Sequence, residues 1–429
     1  MGGHHEDHED TREAVALATE MQKQTRKERR FDDVEAELPN PNVPTLQSSF
    51  FTAGGLLSHL GSYNPWGRPV TDGDIVWLLD NTAFKPSRLS SWQAEFIAAV
   101  FEGEPKCKVV DIVQGIAGKL GIADDAEEFK TIEERILPFL WDVQPARQLR
   151  VVQHKKELKL GPSASNGIST DTLKIPDQPA GTTVTSSAAV PRGTTGLLEM
   201  KTFFAAPEGW AVISGVLPAR VKLESMLTMV DVDDTIKLTQ TSDPIGILRE
   251  TFVNEPTPIE GMPELYHNIK ALLPHESPWF YLSASPYNLY PFLKEFRDKY
   301  YPPGTIILRD SSWKTVAGLL SALTMATEEY KVDRMKKVHS WLPKRKMILI
   351  GDSTQSDPEA YGDIYRQFKG WVKLILIRKV TDIASVGISA KNEPERFEKA
   401  FKNIPRDDWF VFENPVDCNK IIRDTVARP

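Results

Sequence analysis

The carboxyl-terminal half of this chain alternates short apolar runs with helical patterns, and few folds accept that arrangement. The apolar runs read as strands at 279–282, 305–308, 347–350, 374–377 and 409–412. Helical spacing falls at 262–273, 289–300, 316–337, 361–368 and 396–401. Strands joined through helices run parallel and need helices on both faces to bury them. The expected fold class is therefore α/β, a parallel sheet sandwiched by helices. Ligands of such sheets bind outside the carboxyl ends of the strands.

One stretch is placed to use such a crevice: 226–235, Met-Leu-Thr-Met-Val-Asp-Val-Asp-Asp-Thr. Its apolar run ends in Asp231 and Asp233, with Thr235 two residues further on. Side chains two apart on a strand share a face, so both carboxylates can project into one site. That pairing suits phosphoryl transfer, one carboxylate attacking phosphorus while its neighbour handles the proton. Solvated turns and calcium loops also use Asp-x-Asp, so the partners downstream decide.

Three further groups follow in chain order. Phe280-Tyr-Leu-Ser283-Ala-Ser285 puts hydroxyls at the end of an apolar strand, where one can donate to a phosphate oxygen. Lys331 begins a helical pattern through Met335, Val338 and Leu342, and supplies the positive charge that a phosphoryl group between carboxylates requires. Lys336 and Lys337 compete for that role. Met347-Ile-Leu-Ile-Gly351-Asp352-Ser-Thr-Gln-Ser-Asp357 joins a buried strand, a glycine permitting close approach, and two acids. Mg²⁺ prefers hard oxygen ligands and keeps waters and substrate phosphate in its shell. Asp231 and Asp352 with a backbone carbonyl match that preference, whereas a structural turn capped by Asp357 is the plainer alternative.

Upstream, residues 1–47 read as a charged disordered tail holding one helix, whose basic end suits the helix dipole or contact with anionic lipid. His4, His5 and His8 sit among acids in that tail. Residues 48–160 read as a helical or mixed domain of unassigned role, with a strand at 75–79 and helices at 92–101, 109–120 and 132–140. Asp80-Asn-Thr82 lacks a second carboxylate and is expected to be a decoy. Residues 161–224, rich in Ser, Thr, Gly and Pro, read as a linker with strands and as the domain boundary before a 225–429 domain. A net charge of -7 argues against nucleic acid as a partner. Cys107 and Cys418 are too few for a disulfide framework, which fits a reducing, cytoplasmic setting. Neither a signal peptide nor a transmembrane helix is expected.

Asp-x-Asp-x-Thr, Ser, Lys and Gly-Asp-x4-Asp in this order resemble the haloacid dehalogenase superfamily of phosphohydrolases. Thr257-Pro-Ile-Glu-Gly-Met-Pro-Glu-Leu-Tyr266, Ser283-Ala-Ser-Pro-Tyr-Asn-Leu-Tyr-Pro291 and Gly351-Asp-Ser-Thr-Gln-Ser-Asp-Pro-Glu-Ala-Tyr361 look like the fungal actin-patch-associated phosphatidate phosphatase family. The resemblance implies a haloacid-dehalogenase-like domain with a minimal cap and a Mg²⁺-dependent phosphatase releasing diacylglycerol from phosphatidate. It implies that Asp231 is the nucleophile, forming an aspartyl-phosphate, and that Asp233 protonates the leaving alkoxide and then activates water. Thr235 would support the loop, Ser283 bind phosphate and Lys331 neutralise charge. The metal ligands would be drawn from Asp231, Asp233, Asp352 and Asp357, the last a ligand or an orienter of metal-bound water. Tyr330 stands where a histidine often precedes the lysine, and the sequence stops at Pro429 without the proline-rich tail of better-known members. An open site with no full cap suits a lipid phosphate met at a membrane surface. It would also admit an isoprenoid phosphate or another small organic phosphate, and a non-catalytic scaffold is the reading from a different class.

Overall fold

A computed structural model of the chain describes residues 67–87, 90–103, 109–122, 126–215, 219–220, 233–234, 238–239, 248–249, 252–309, 328–353, 355–381 and 388–428. The expected tail, its histidines and Cys107 lie outside the described residues.

The first part is built on strands. They are β1 (Asp74–Leu78), β2 (Asn81–Phe84) and β3 (Gln93–Glu102), followed by helices α1 (Val109–Lys119) and α2 (Ala126–Leu140). Next come β4 (Arg150–Gln153), β5 (Lys156–Lys159), β6 (Ile168–Lys174), β7 (Thr183–Ala188), β8 (Thr195–Leu197) and β9 (Glu199–Phe204). These join one mixed sheet in the order β8-β1-β3-β2-β9-β7-β4-β5, with β6 and the short strand Asp142–Val143 also paired to β3.

Two expectations are corrected here. The helix read at 92–101 is strand β3: Ala94, Phe96, Ala98 and Val100 enter one apolar cluster while Ala99 and Phe101 enter another. A strand buried on both faces loses the alternation that would distinguish it from a helix. The Ser/Thr-rich region is likewise no linker, since most of it is built into the first sheet, and the change to the second sheet falls between Phe204 and Glu208, near the end of the 161–224 stretch. β8 pairs parallel with β1 and β9 with β2, so the strands beyond residue 161 belong to the same sheet as those before it. Among the described residues the preceding unit is thus mainly β with two helices, the mixed alternative of the expectation and not the helical one.

The second part is the expected α/β unit. It runs β10 (Glu208–Ser214), α3 (Met262–Leu272), β11 (Trp279–Pro286), α4 (Tyr290–Tyr300), β12 (Thr305–Arg309), α5 (Glu328–Trp341) and β13 (Lys344–Asp352). It ends with α6 (Asp357–Gln367), β14 (Val372–Arg378), α7 (Pro394–Ala400), β15 (Trp409–Phe412) and α8 (Cys418–Ala427). Every neighbouring pair in the order β12-β11-β10-β13-β14-β15 is parallel.

Alternation along these strands shows why helices cover both faces. Val212, Tyr281, Ile348 and Leu374 pack with Leu265 and Ile269 of α3, Phe296 of α4 and Ile422 of α8. Ile213, Phe280, Leu349 and Ile375 pack with Met335 of α5, Ile364 of α6 and Phe397 of α7.

The two sheets share a core. Trp77 and Phe101 lie in the same apolar cluster as Trp279 and Tyr290, and Phe84 stacks on Trp341 with ring centroids 5.5 Å apart. Asp80, the decoy of the sequence reading, is buried here against Arg297 at 2.8 Å, with Lys294 at 3.3 Å. Its role is to tie β1 and β2 to α4.

Candidate active site

The chain leaves β10 for β11 and β12 on one side, then returns to place β13, β14 and β15 on the other. β10 and β13 therefore flank the point where strand order reverses, the place at which sheets of this kind form a ligand-binding crevice. β10 ends at Ser214, level with Ile350 of β13. Gly215 N–H donates to the Ile350 carbonyl at 2.8 Å and to the Tyr361 hydroxyl at 3.0 Å, and that hydroxyl donates to the same carbonyl at 2.8 Å. Ser214 Oγ and Tyr266 Oη lie 2.7 Å apart beside them. Burial raises the pKa of both tyrosines above the ordinary phenol range, so each stays a neutral phenol.

Asp357 sits at the centre of this floor. It opens α6 with Pro358 in the first turn, where an acid is favoured by the helix dipole. Its Oδ1 accepts from Lys331 Nζ at 2.5 Å and its Oδ2 from Asp352 N–H at 3.2 Å. Lys331 and Asp357 are both fully buried, so each compensates the other's charge. The close approach depends on two glycines. A Cβ on Gly351 would lie 2.6 Å from Asp357 Cβ, and one on Gly215 would lie 2.9 Å from Asp357 Oδ1. Asp352 closes β13 and is itself buried.

The structure therefore brings together Lys331, Asp352 and Asp357. Ser283 is buried near the carboxyl end of β11, two residues past Tyr281, which is level with Ser214. Its Oγ accepts from Ser285 N–H at 3.1 Å, which leaves the hydroxyl hydrogen as a donor. Arg309 and Arg334 each lie over the ring of Tyr330, 5.4 and 5.1 Å from its centroid. Asp231 and Thr235 lie outside the described residues, as does the apolar run before them. Asp233 belongs to a two-residue strand, Asp233–Asp234, paired antiparallel with Leu238–Thr239. The strand at the sheet centre is β10, upstream of that run. Sequence reasoning missed Ser214, Gly215, Tyr266 and Tyr361 as parts of this floor. An apolar strand leading into Ser-Gly was the signal for the first two, and the two tyrosines close the resemblance motifs 257–266 and 351–361.

The donor set meets the demands of a hard divalent cation in part. Asp352 and Asp357 are oxygen donors five residues apart at a strand end, but both Asp357 oxygens already accept hydrogen bonds. That arrangement suits Asp357 as an orienter and not as a direct ligand. Among the described residues no group of three or more metal-ligating side chains occurs, and no helix is long and apolar enough to cross a membrane.

Comparison with known proteins falls on this region. Residues 226–379 match the family described as phosphatidate phosphatase APP1, catalytic domain. The chain is also 30% identical over 170 residues to phosphatidate phosphatase APP1 of Saccharomyces cerevisiae, a match covering 38% of this chain and 28% of that protein. The chain thus spans under a third of the length of this curated relative. Every group just placed on the crevice floor between Ser283 and Tyr361 lies inside the matched segment, whereas β10 precedes it.

Proposed function

Because residues 226–379 carry the catalytic segment of the phosphatidate phosphatase APP1 family, we propose that this protein is a Mg²⁺-dependent phosphatase that releases phosphate from phosphatidate. The observation that carries the reading is the buried Lys331–Asp357–Asp352 arrangement at the strand-order reversal, within the matched residues. The parallel sheet is consistent with a haloacid-dehalogenase-like domain.

Asp231 attacks phosphorus while the bond to the glycerol oxygen breaks, and Asp233 gives that oxygen its proton, so diacylglycerol leaves. Water then attacks the aspartyl-phosphate, Asp233 takes the water's proton, and phosphate and free Asp231 result. Ser283 donates a hydrogen bond to a phosphate oxygen, and Thr235 supports the loop that carries the two acids. Lys331 holds Asp357 in place and adds positive potential beneath the phosphoryl group. Asp231, the Asp233 backbone carbonyl and Asp352 would hold Mg²⁺, with Asp357 orienting its waters; when bound, the ion neutralises phosphate charge. The substrate's lipid nature implies peripheral contact with a membrane.

The test is to quench the protein during turnover of phosphatidate in mixed micelles and locate covalent phosphate by mass spectrometry. Phosphate on Asp231, lost in Asp231→Asn and after Mg²⁺ chelation, is expected. Turnover that survives in Asp231→Asn would overturn the mechanism.

A further inference from the structure

We propose that Arg396, paired with Glu359, is a positioning residue that sets the spacing of Asp352 and Asp357; the inference rests on the metal-dependent reading of that site. The two acids are joined by residues 353–356, of which Ser353, Gln355 and Ser356 are described, a short loop segment between the end of β13 and the start of α6. Arg396 reaches that loop from α7, across the chain segment that follows β14.

A guanidinium has five N–H donors in a rigid plane, and here each one is used. Nε donates to Glu359 Oε1 at 2.7 Å and Nη2 to Glu359 Oε2 at 2.9 Å, a bidentate pair. Nη2 also donates to the Gln355 carbonyl at 2.5 Å. Nη1 donates to the Ser353 carbonyl and, at 2.9 Å, to the Lys391 carbonyl. Two of these acceptors, Ser353 and Gln355, fall between the acids, and Glu359 lies in the first turn of the helix that Asp357 opens.

The loop is held from its other side as well. Ser353 N–H donates to the Arg378 carbonyl at 2.9 Å, and Ser353 Oγ accepts from Val380 N–H at 3.0 Å. Asn392 Nδ2 donates to the Val380 carbonyl at 2.6 Å. The Arg396 plane is thus the one side-chain bridge, among the described residues, that grips the loop and the first turn of α6 together. Lysine would keep the charge but offers three donors from a single point and cannot span Glu359 and both carbonyls. A residue that fixes the spacing between a metal-binding carboxylate, Asp352, and the acid that orients its waters, Asp357, acts on metal affinity without touching the metal; removing direct hydrogen-bond partners of metal ligands typically changes that affinity ten- to a hundredfold.

The experiment compares the full chain with Arg396→Lys and Glu359→Gln, reading Mg²⁺ binding by calorimetry and thermal midpoint without substrate. Mg²⁺ activation and phosphatidate KM are then measured in mixed micelles. The expected result is Mg²⁺ binding weakened about tenfold or more in both variants, with a matching rise in the Mg²⁺ needed for half-maximal activity and little change in phosphatidate KM. Unchanged Mg²⁺ affinity in folded variants, or a change in thermal midpoint alone, would overturn the inference and leave the proposed function standing. Absence of Mg²⁺ binding by the unaltered chain would overturn both. Should Arg396→Lys fail to fold, Glu359→Gln decides by the same readouts.

Discussion

At the scale of single residues, the Lys331–Asp357 pair carries most of the consequence. Lys331→Met leaves a fully buried carboxylate without its cation, and a cost of about 3–5 kcal/mol is expected. The double variant Lys331→Met/Asp357→Asn removes both charges and should be less destabilised than the single one. Denaturant midpoints check the order, and a double variant worse than Lys331→Met would show that the pair is not acting as a charge couple. His339 offers a pH test. It stacks on Phe368 at 3.8 Å, and burial lowers its pKa below the ordinary imidazole value. A folded-state pKa below the unfolded value means that the unfolded chain takes up the proton first. The stability involved is present above about pH 6.5 and declines as the pH falls below it. His339→Gln should therefore shrink the stability difference between about pH 7.5 and about pH 5.5, and an unchanged difference would rule out this group. Lys331, Asp352 and Asp357 were legible because an apolar strand ending in Gly-Asp and a basic residue heading a helix announce themselves. Arg396 was not, since its partners are carbonyls and an acid brought together only by the fold.

At the scale of elements, β11 to β15 were readable because each is a short apolar run bounded by turn residues. β3 was not, because apolar residues on both of its faces erase the period of two. α6 begins earlier than its apolar spacing suggested, since Asp357 and Pro358 can occupy a first turn without an apolar face. The central strand raises a separate point. β10 ends at Ser214 beside Asp357, while in sequence Asp231 follows only after residues 215–230. A strand delivers a carboxylate to its crevice most directly when the acid follows within a residue or two.

At the scale of the whole molecule, the β-rich unit and the α/β unit form one structure. Thr82 and Thr305 hydroxyls lie 2.7 Å apart, Lys337 on the helix of Lys331 pairs with Glu95 of β3, and Phe84 stacks on Trp341 of the same helix. The sequence suggested a linker near 161–224 from composition, but Thr183 and Thr185, exposed on β7, and Ser186 and Thr202, buried in β7 and β9, are sheet residues that produce the same composition. A fragment starting at residue 206 would leave Arg297 buried without Asp80 and strip apolar cover from Trp341. It should fail to give a soluble, cooperatively melting product; a fragment with the full chain's thermal midpoint would contradict the shared core. The most direct measurement remains phosphate release, with and without Mg²⁺, from phosphatidate in mixed micelles, isoprenoid phosphates and soluble phosphomonoesters, with Asp231→Asn as the blank. The expected result is Mg²⁺-dependent release that favours phosphatidate and vanishes in the blank. Mg²⁺-dependent release favouring an isoprenoid phosphate would contradict the substrate, and no release above the blank from any compound would contradict the proposed activity itself.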